Sequence, residues 1–391
     1  MSTERCDVLI VGGGPAGSSC ARVLQQAGLD VLVLDKSGFP RDKVCAGWIT
    51  PPVLDELEID RADYARKRVL QPITGFRLGL IGAVPLDTDY ARIVSYGIRR
   101  CEFDHYLLQR AGARLSLGEA LHSIERRADG WLINQRIEAA LLIGAGGHFC
   151  PVARHLGADV GRGELSVTAR EIEFRMSDAQ QRRCNVAPHR PELYFCADLK
   201  GYGWVFHKGA YLNIGLGRED PQRLAEHSAA FLDWLKTTER IPDDSPAVLH
   251  GHAYLLYGHS QRKLIDDGVL LIGDAAGLAY AQSGEGIRPA IESGLLAAAT
   301  VLAAKGDYSS AGLSGYQDNL RKRFGAPGDT RPQPIAATVR NYLGKRLLRK
   351  RWFTRHVVLD RWFLHSRQPL IATAGAMTSA PAHQGLQSPM R

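Results

Sequence analysis

Short apolar runs, separated by glycine-rich turns and helical patterns, organise this chain. Residues 7–11 and 31–34 are compact runs of branched apolar side chains, the pattern of buried strands. Between them, residues 15–28 carry a helical pattern with Pro15 near the start and Gly28 at the end. Two strands around one helix within about thirty residues predict a βαβ unit. Further along, residues 73–80, 131–134 and 139–145 read as strands, and 103–111 as a helix. Residues 168–176, 193–197 and 212–216 alternate as strands of a β-rich middle region. Residues 268–272 form another buried strand, and 286–304 a long helix of Ala and Leu. The pattern predicts an α/β fold in which Rossmann-like pieces (1–44, 97–160 and 266–325) are interleaved with a β-rich substrate-binding domain (45–96 and 161–265). A Pro/Gly linker, residues 326–334, leads to a helical segment, 335–367. The tail, 372–391, is small, polar and Pro-containing, and is expected to be disordered.

The turn after the first strand reads Gly12-Gly13-Gly14-Pro15-Ala16-Gly17. In such a fingerprint Gly12 allows the tight turn, Gly14 lets backbone approach a pyrophosphate, and Gly17 permits close helix–strand packing. Pro15 and Ala16 open a helix whose free N–H groups favour phosphate. Asp35, with Lys36 beside it, ends the second strand 23 residues after Gly12, where a carboxylate can accept hydrogen bonds from an adenosine ribose. A second device follows the strand near residue 270, which ends in Gly273-Asp274. Asp274 is placed to bind a chain of hydroxyl groups. Ser283-Gly284-Glu285-Gly286-Ile287 then opens the long helix, whose N-terminus suits the N1–C2=O edge of a flavin, which becomes negative on reduction.

With these motifs the sequence resembles the FAD-dependent monooxygenase-type flavoproteins and, within them, the geranylgeranyl reductase branch. The likeness runs over residues 5–325. It rests also on Lys43-Val44-Cys45-Ala46-Gly47, Arg100-Cys101-Glu102-Phe103-Asp104, Gly201-Tyr202-Gly203-Trp204-Val205-Phe206-His207-Lys208-Gly209 and Asn213-Ile214-Gly215-Leu216-Gly217. The resemblance implies FAD as cofactor, on a Rossmann-like domain of the glutathione-reductase type. It implies Arg100 at the phosphate or ribityl side of the flavin, Asp274 in the ribityl or phosphate region, and Cys45 near the isoalloxazine face. The chain also departs from the family pattern. Gly146 stands where the family has an aspartate that helps hydroxylases with FAD and NADPH, and Cys150 where it has a serine. His207 replaces a proline, and Ala281-Gln282-Ser283 replaces Pro-Phe-Thr beside the expected substrate cavity.

A flavin enzyme of this kind either passes a hydride to an activated C=C bond or reacts with oxygen and hydroxylates. The Lys43-x-Cys45-x-Gly47 stretch and Gly146 favour the first, with a hydrophobic, isoprenoid-like substrate. The alternatives are a monooxygenase acting on an aromatic or polyketide-like molecule, and a flavoprotein that only carries electrons. The reductant is NADPH, NADH or a reduced carrier protein. Cys45 reads as a proton donor or pocket-shaping residue, or else as a packed thiol. Tyr202, Trp204 and Phe206 read as the lining of a substrate tunnel or as core. His207 reads as an acid–base group or a structural histidine, and Glu285 first as a helix-start carboxylate and second as a catalytic one.

Composition narrows the setting. The 391 residues are 45% hydrophobic, enough for a sizeable core, and no run of eighteen apolar residues occurs. The first residues lead straight into a strand, which predicts no leader and a cytoplasmic protein, peripheral at a membrane at most. Seven scattered cysteines show no zinc spacing and read as reduced thiols; no metal is expected. The net charge of +8 is concentrated: residues 321–367 hold thirteen Lys and Arg against two acids. Within 338–366, Tyr342, Leu343, Leu347, Leu348, Trp352, Phe353, Val357, Val358, Trp362 and Phe363 recur at helical spacing among these bases. Such a segment either rests on anionic lipid or packs on the body with a solvated basic face. No recognition module for nucleic acid accompanies the charge.

Overall fold

The computed structural model describes residues 3–160, 164, 166–220, 222–259, 262–326 and 334–371. Its centre is an eight-stranded sheet whose main path is Ile265–Asp266, Val269–Leu271, Ile137–Gly144, Glu4–Val11, Val31–Asp35 and Arg114–Leu117. All neighbours on this path are parallel except the first pair. Val8 lies opposite both Leu141 and Val31, and these residues are fully buried. A strand flanked on both sides and covered on both faces has no polar side, which is why these runs are continuously apolar.

Two helices fix the geometry at the C-terminal ends of the strands. The first helix, Pro15–Gln26, and the long helix, Ile287–Ala304, pack side by side. A Cβ on Gly294 would lie 2.4 Å from the Ala16 carbonyl oxygen, so only glycine permits this approach. The long helix is, by length and composition, apolar enough to cross a membrane, although Arg288 and Glu292 interrupt its apolar residues. Its 18 residues have a mean hydropathy of 1.3, but 67% of the stretch is buried inside the protein.

A seven-stranded sheet lies beyond, in the order His250–Leu255, Ser166–Arg175, Tyr211–Arg218, Gly201–Lys208, Glu192–Phe195, Gly75–Leu80 and Leu86–Asp89. A three-stranded sheet of Trp48–Ile49, Ser95–Ile98 and Leu70–Ile73 packs against Gly201–Lys208 through its middle strand, Ser95–Ile98. The single strand expected over 73–80 is therefore two strands in two sheets. The chain changes sheets at Thr74, where the amides of Thr74 and Gly75 both donate to the His189 carbonyl.

The C-terminal segment is helical, as Pro334–Leu347, Arg351–Phe353 and a π-helical stretch Thr354–Phe363. It docks on the body. Leu348, Val358, Leu359, Phe363 and Leu364 are buried against Trp48, Phe76 and Phe206. Phe363 stacks on Trp48 at 5.6 Å and meets Tyr202 edge-on at 5.3 Å. The tail expected to be disordered, 372–391, and most of the linker lie outside the described residues. Phe363→Ala is expected to lower the free energy of unfolding by about 3–5 kcal/mol in urea melts. Trp352→Ala, on the exposed side of the same segment, is expected to change it by no more than about 0.5 kcal/mol.

Candidate functional site

A cavity of about 580 Å³ opens at the C-terminal ends of the parallel strands, where ligands bind in sheets of this kind. Gly12, Gly14, Pro15, Ala16, Asp35 and Lys36 line one end; Cys45, Trp48, Tyr202, Trp204 and Phe206 line the other.

At the glycine end, Gly12 has φ +119°, and a Cβ there would meet the Ala145 carbonyl oxygen at 2.3 Å. The helix that follows has no side-chain cap and no acid in its first turn, which leaves its N–H groups to the cavity. Asp35 accepts from the Gly13 amide at 2.7 Å and the Ser37 amide at 2.9 Å. It thus holds the glycine turn in place, and a carboxylate retains lone pairs for a ribose hydroxyl. Gly17 and Gly273 do not line the cavity. They are packing positions, where a Cβ would strike the Gly12 carbonyl oxygen at 1.9 Å and the Ala16 Cβ at 2.9 Å. Arg41, passed over in the sequence, also lines this end. Its buried Nη1 makes no hydrogen bond and lies 3.4 Å from Asp104. Asp104, wholly buried, holds Arg100 bidentately at 2.7 and 2.8 Å, so one carboxylate orients two guanidinium groups.

In the middle stand Asp274, Gly284, Gly286 and Ile287, the last opening a helix that again lacks a cap or an acid in its first turn. Lys43 Nζ lies 2.8 Å from His252 Nε2, which is 4.0 Å from Asp274. Burial pushes Lys43 down to about 8, against the pull of Asp274. Burial and the Lys43 charge push His252 down to about 3, so this imidazole is neutral. His252 gave no signal in sequence, because its place follows from strand pairing across the second sheet.

At the aromatic end, a polar network fixes the loop that carries Cys45. The Cys45 amide donates to Glu171 at 2.5 Å, and Asn213 Nδ2 donates to the Cys45 carbonyl at 3.1 Å and to Glu171 at 2.8 Å. Asn213 Oδ1 accepts from Trp204 Nε1 at 2.8 Å. The buried Lys208 ammonium donates to the Ala46 and Ile98 carbonyls at 3.0 and 2.9 Å and pairs with Glu173. Gly47, at φ +63°, leaves no room for a Cβ beside Ile98. Burial pushes Glu171 up to about 7. The three separate motifs around Cys45, Trp204 and Asn213 are therefore one structure.

Tyr202, Trp204 and Phe206 face the cavity together, because alternate residues of a strand share a face. His207 faces the other way. Its Nδ1 sits 2.8 Å from the Val186 carbonyl and it does not line the cavity, so the acid–base reading of His207 is withdrawn. Glu285 does line the cavity, and burial pushes its carboxyl up to about 8. Among the described residues no group of His, Cys, Asp and Glu gathers to hold a metal ion.

Two uncapped helix N-termini, a strand-end carboxylate, an unbonded guanidinium nitrogen and a long cleft ending in aromatic rings fit FAD. Residues 7–101 match the family model of FAD-dependent oxidoreductases. A menaquinone reductase of Mycobacterium tuberculosis is 32% identical over 319 residues, covering 75% of this chain and 76% of that one. A digeranylgeranylglycerophospholipid reductase of Methanosphaera stadtmanae is 29% identical, covering 83% and 85%. Among solved structures, a geranylgeranyl bacteriochlorophyll reductase-like protein of Thermoplasma acidophilum superposes with a TM-score of 0.70 at 24% identity, over 88% of each chain. PqsL of Pseudomonas aeruginosa, a probable FAD-dependent monooxygenase, gives 0.63 at 19%, over 91% of this chain and all of that one. These last two show the shared fold.

Lys43, beside His252 in the middle of the cavity, gives FAD binding a pH dependence. Its charge is present below about pH 8 and lost above it, and FAD carries a dianionic pyrophosphate. FAD affinity is therefore expected to fall as pH rises through 8, by at most about tenfold per pH unit. Lys43→Met is expected to flatten that slope in titrations of flavin fluorescence.

Proposed function

The chain belongs to the family of FAD-dependent oxidoreductases that includes the geranylgeranyl reductases, and on that premise we propose that it reduces C=C bonds of a hydrophobic, isoprenoid-like substrate. The observation that carries this reading is the apolar end of the cavity. Trp48, Trp204, Phe206, Tyr202 and Tyr254 line it together with Cys45, and the same cleft continues to the glycine turn. When bound and reduced, FAD supplies a hydride equivalent.

The chain's own residues do the rest. The glycine turn, Arg41 and Asp35 hold the nucleotide, and Asp274 and the start of the long helix orient its sugar and ring. The rings of Trp48, Trp204 and Phe206 exclude water and accept an aliphatic or prenyl chain. Cys45 is fixed through its amide and its carbonyl, its sulfur accepts from the Gly47 amide at 3.4 Å, and it lines the cavity that would receive the substrate. Gly146 puts no carboxylate beside the cofactor, which suits a reductant that does not need one, such as a reduced carrier protein; NADPH and NADH are the other donors to try. In the absence of oxygen, the reduced enzyme is expected to be reoxidised by a prenylated quinone or an unsaturated isoprenoid lipid, with a product two hydrogens heavier by mass spectrometry. Reoxidation that requires oxygen, with an oxygen atom added to the product, would overturn the proposal in favour of hydroxylation.

A substrate of this class resides in lipid, and the outer side of the C-terminal segment suits a membrane surface. Tyr342, Leu343, Leu347 and Trp352 are 59, 51, 42 and 68% exposed. Lys345, Arg346, Arg349, Lys350 and Arg351 lie among them. We place the protein peripherally on an anionic cytoplasmic membrane face, apolar side chains inserted and bases on the headgroups. Liposomes containing anionic lipid are expected to bind the full chain and release it at high salt. The full-length Leu343→Glu/Trp352→Glu double variant is expected to lose that binding; retention would refute the surface.

A further inference from the structure

Behind the start of the long helix, the cavity wall continues into a buried group of charges. Arg288 Nε donates to Glu292 at 2.7 Å, and its guanidinium lies 3.7 Å from Glu56. Arg323 pairs with Glu292 and lies 3.7 Å from the same Glu56 oxygen. The side chains of Glu56, Arg288 and Glu292 are wholly inaccessible, and Arg323 is nearly so. The fifth member, Glu285, has both carboxyl oxygens buried and neither in a normal hydrogen bond. Of the five, Glu285 alone lines the cavity.

The end of the C-terminal segment closes the group on its other side. The Ile371 amide donates to Glu56 at 3.2 Å, and Arg323 donates to the Pro369 carbonyl at 2.7 Å. Tyr280 donates to Gln368 at 2.6 Å, with His365 stacked on its ring at 3.8 Å. Burial and the two arginines push His365 down to about 4, so it adds no charge. Tyr202 faces Glu285 from the second sheet, and burial keeps its hydroxyl protonated.

Two carboxyl groups thus pair with two guanidinium groups, which stay charged, and the unpartnered Glu285 carboxyl adds a third acid at the cavity wall beside them. With every carboxyl ionised, the group would hold one uncompensated negative charge out of water, which is strongly disfavoured. Retaining one proton removes the imbalance. Burial and the Glu292 charge push Glu56 up to about 7, against Arg288 and Arg323. Burial pushes Glu285 up to about 8, against Arg288 and with the push of Glu292 and Glu56.

We propose that this buried group stores the proton consumed in each reduction, and that Glu285 is the acid that delivers it to the substrate carbon next to the one receiving the hydride. The proposal rests on the C=C reduction put forward above. The reduced flavin is the two-electron donor, and its hydride forms one C–H bond. The π pair of the alkene takes the Glu285 proton to form the other. The Glu285 O–H bond breaks, its carboxylate remains, the flavin is oxidised, and solvent restores the proton.

Infrared spectra of the FAD-loaded chain, titrated across pH 8, test the store without any turnover. The wild type is expected to lose a protonated-carboxyl band near that pH, and Glu285→Gln to lack the band while still taking up FAD. Glu56→Gln removes one of the charges that raise Glu285 and is expected to move the midpoint down. In anaerobic reoxidation by substrate, the wild-type rate is expected to fall as pH rises through 8, because the acid must be protonated. Glu285→Gln is expected to be slower by roughly 10²–10⁴-fold, with a flat profile. A band that persists in Glu285→Gln, or an unmoved midpoint in Glu56→Gln, overturns the store. Wild-type reoxidation by Glu285→Gln overturns the donor. If no substrate reoxidises even the wild type while the band still titrates, the function reading fails, and the donor role fails with it, but the store stands.

Discussion

A single buried ammonium group underlies the arrangement of this site. Lys208 lies deep between the sheets, where an unpaired charge is heavily penalised, so its three donors have to be satisfied by the chain itself. They reach Glu173 and the carbonyls of Ala46 and Ile98, which ties the end of one strand to the loop after Lys43 and to the small sheet. Asn213 and Glu171 complete the hold from neighbouring strands. A loop so constrained presents Cys45 and Trp48 to the cavity in one geometry, and fixed placement of this kind is what a reaction between bound groups depends on. Such networks are costly when half-made, and removing one partner of a buried pair typically destabilises by about 3–5 kcal/mol.

The two ends of the cavity follow different physics. The nucleotide end is made of backbone: glycine turns, helix N-termini and strand ends, with a few charges set around them. The other end is made of rings, several of which reach it from distant parts of the sequence. Asp104 connects the two, since it orients Arg41 near the glycine turn and Arg100 beside the Cys45 loop.

Much of the nucleotide end was legible in the sequence, because its chemistry resides in consecutive residues. The turn from Gly12 to Gly17, Asp35, Gly273-Asp274 and the start of the long helix each carry their meaning locally. Arg41, His252 and Glu171 were not legible, since nothing in their neighbourhoods marks them and only the pairing of remote strands brings them in. Of the two readings of His207, the acid–base one falls for a simpler reason: the residue follows Phe206 on one strand, and successive side chains cannot share a face. The spacing of the C-terminal segment was read as an amphipathic helix, but periodicity names a buried stripe without naming its partner. That partner is the aromatic wall itself, through Phe363, Leu359 and Val358. Of the five buried charges only Glu285, in the turn before the long helix, was marked in the sequence; the other four were hidden, coming from the helix Pro51–Glu56, the long helix and the helix Gly315–Phe324.

The docking of Phe363 against Trp48 also orders events at the ribosome. Chains fold from the N-terminus as they emerge, and every strand of the central sheet has appeared well before the last helices are made. The nascent protein therefore completes its nucleotide cleft first. Its aromatic chamber remains open on one side until Val358 to Phe363 have been made, so FAD can be taken up by a chain whose apolar wall is still incomplete.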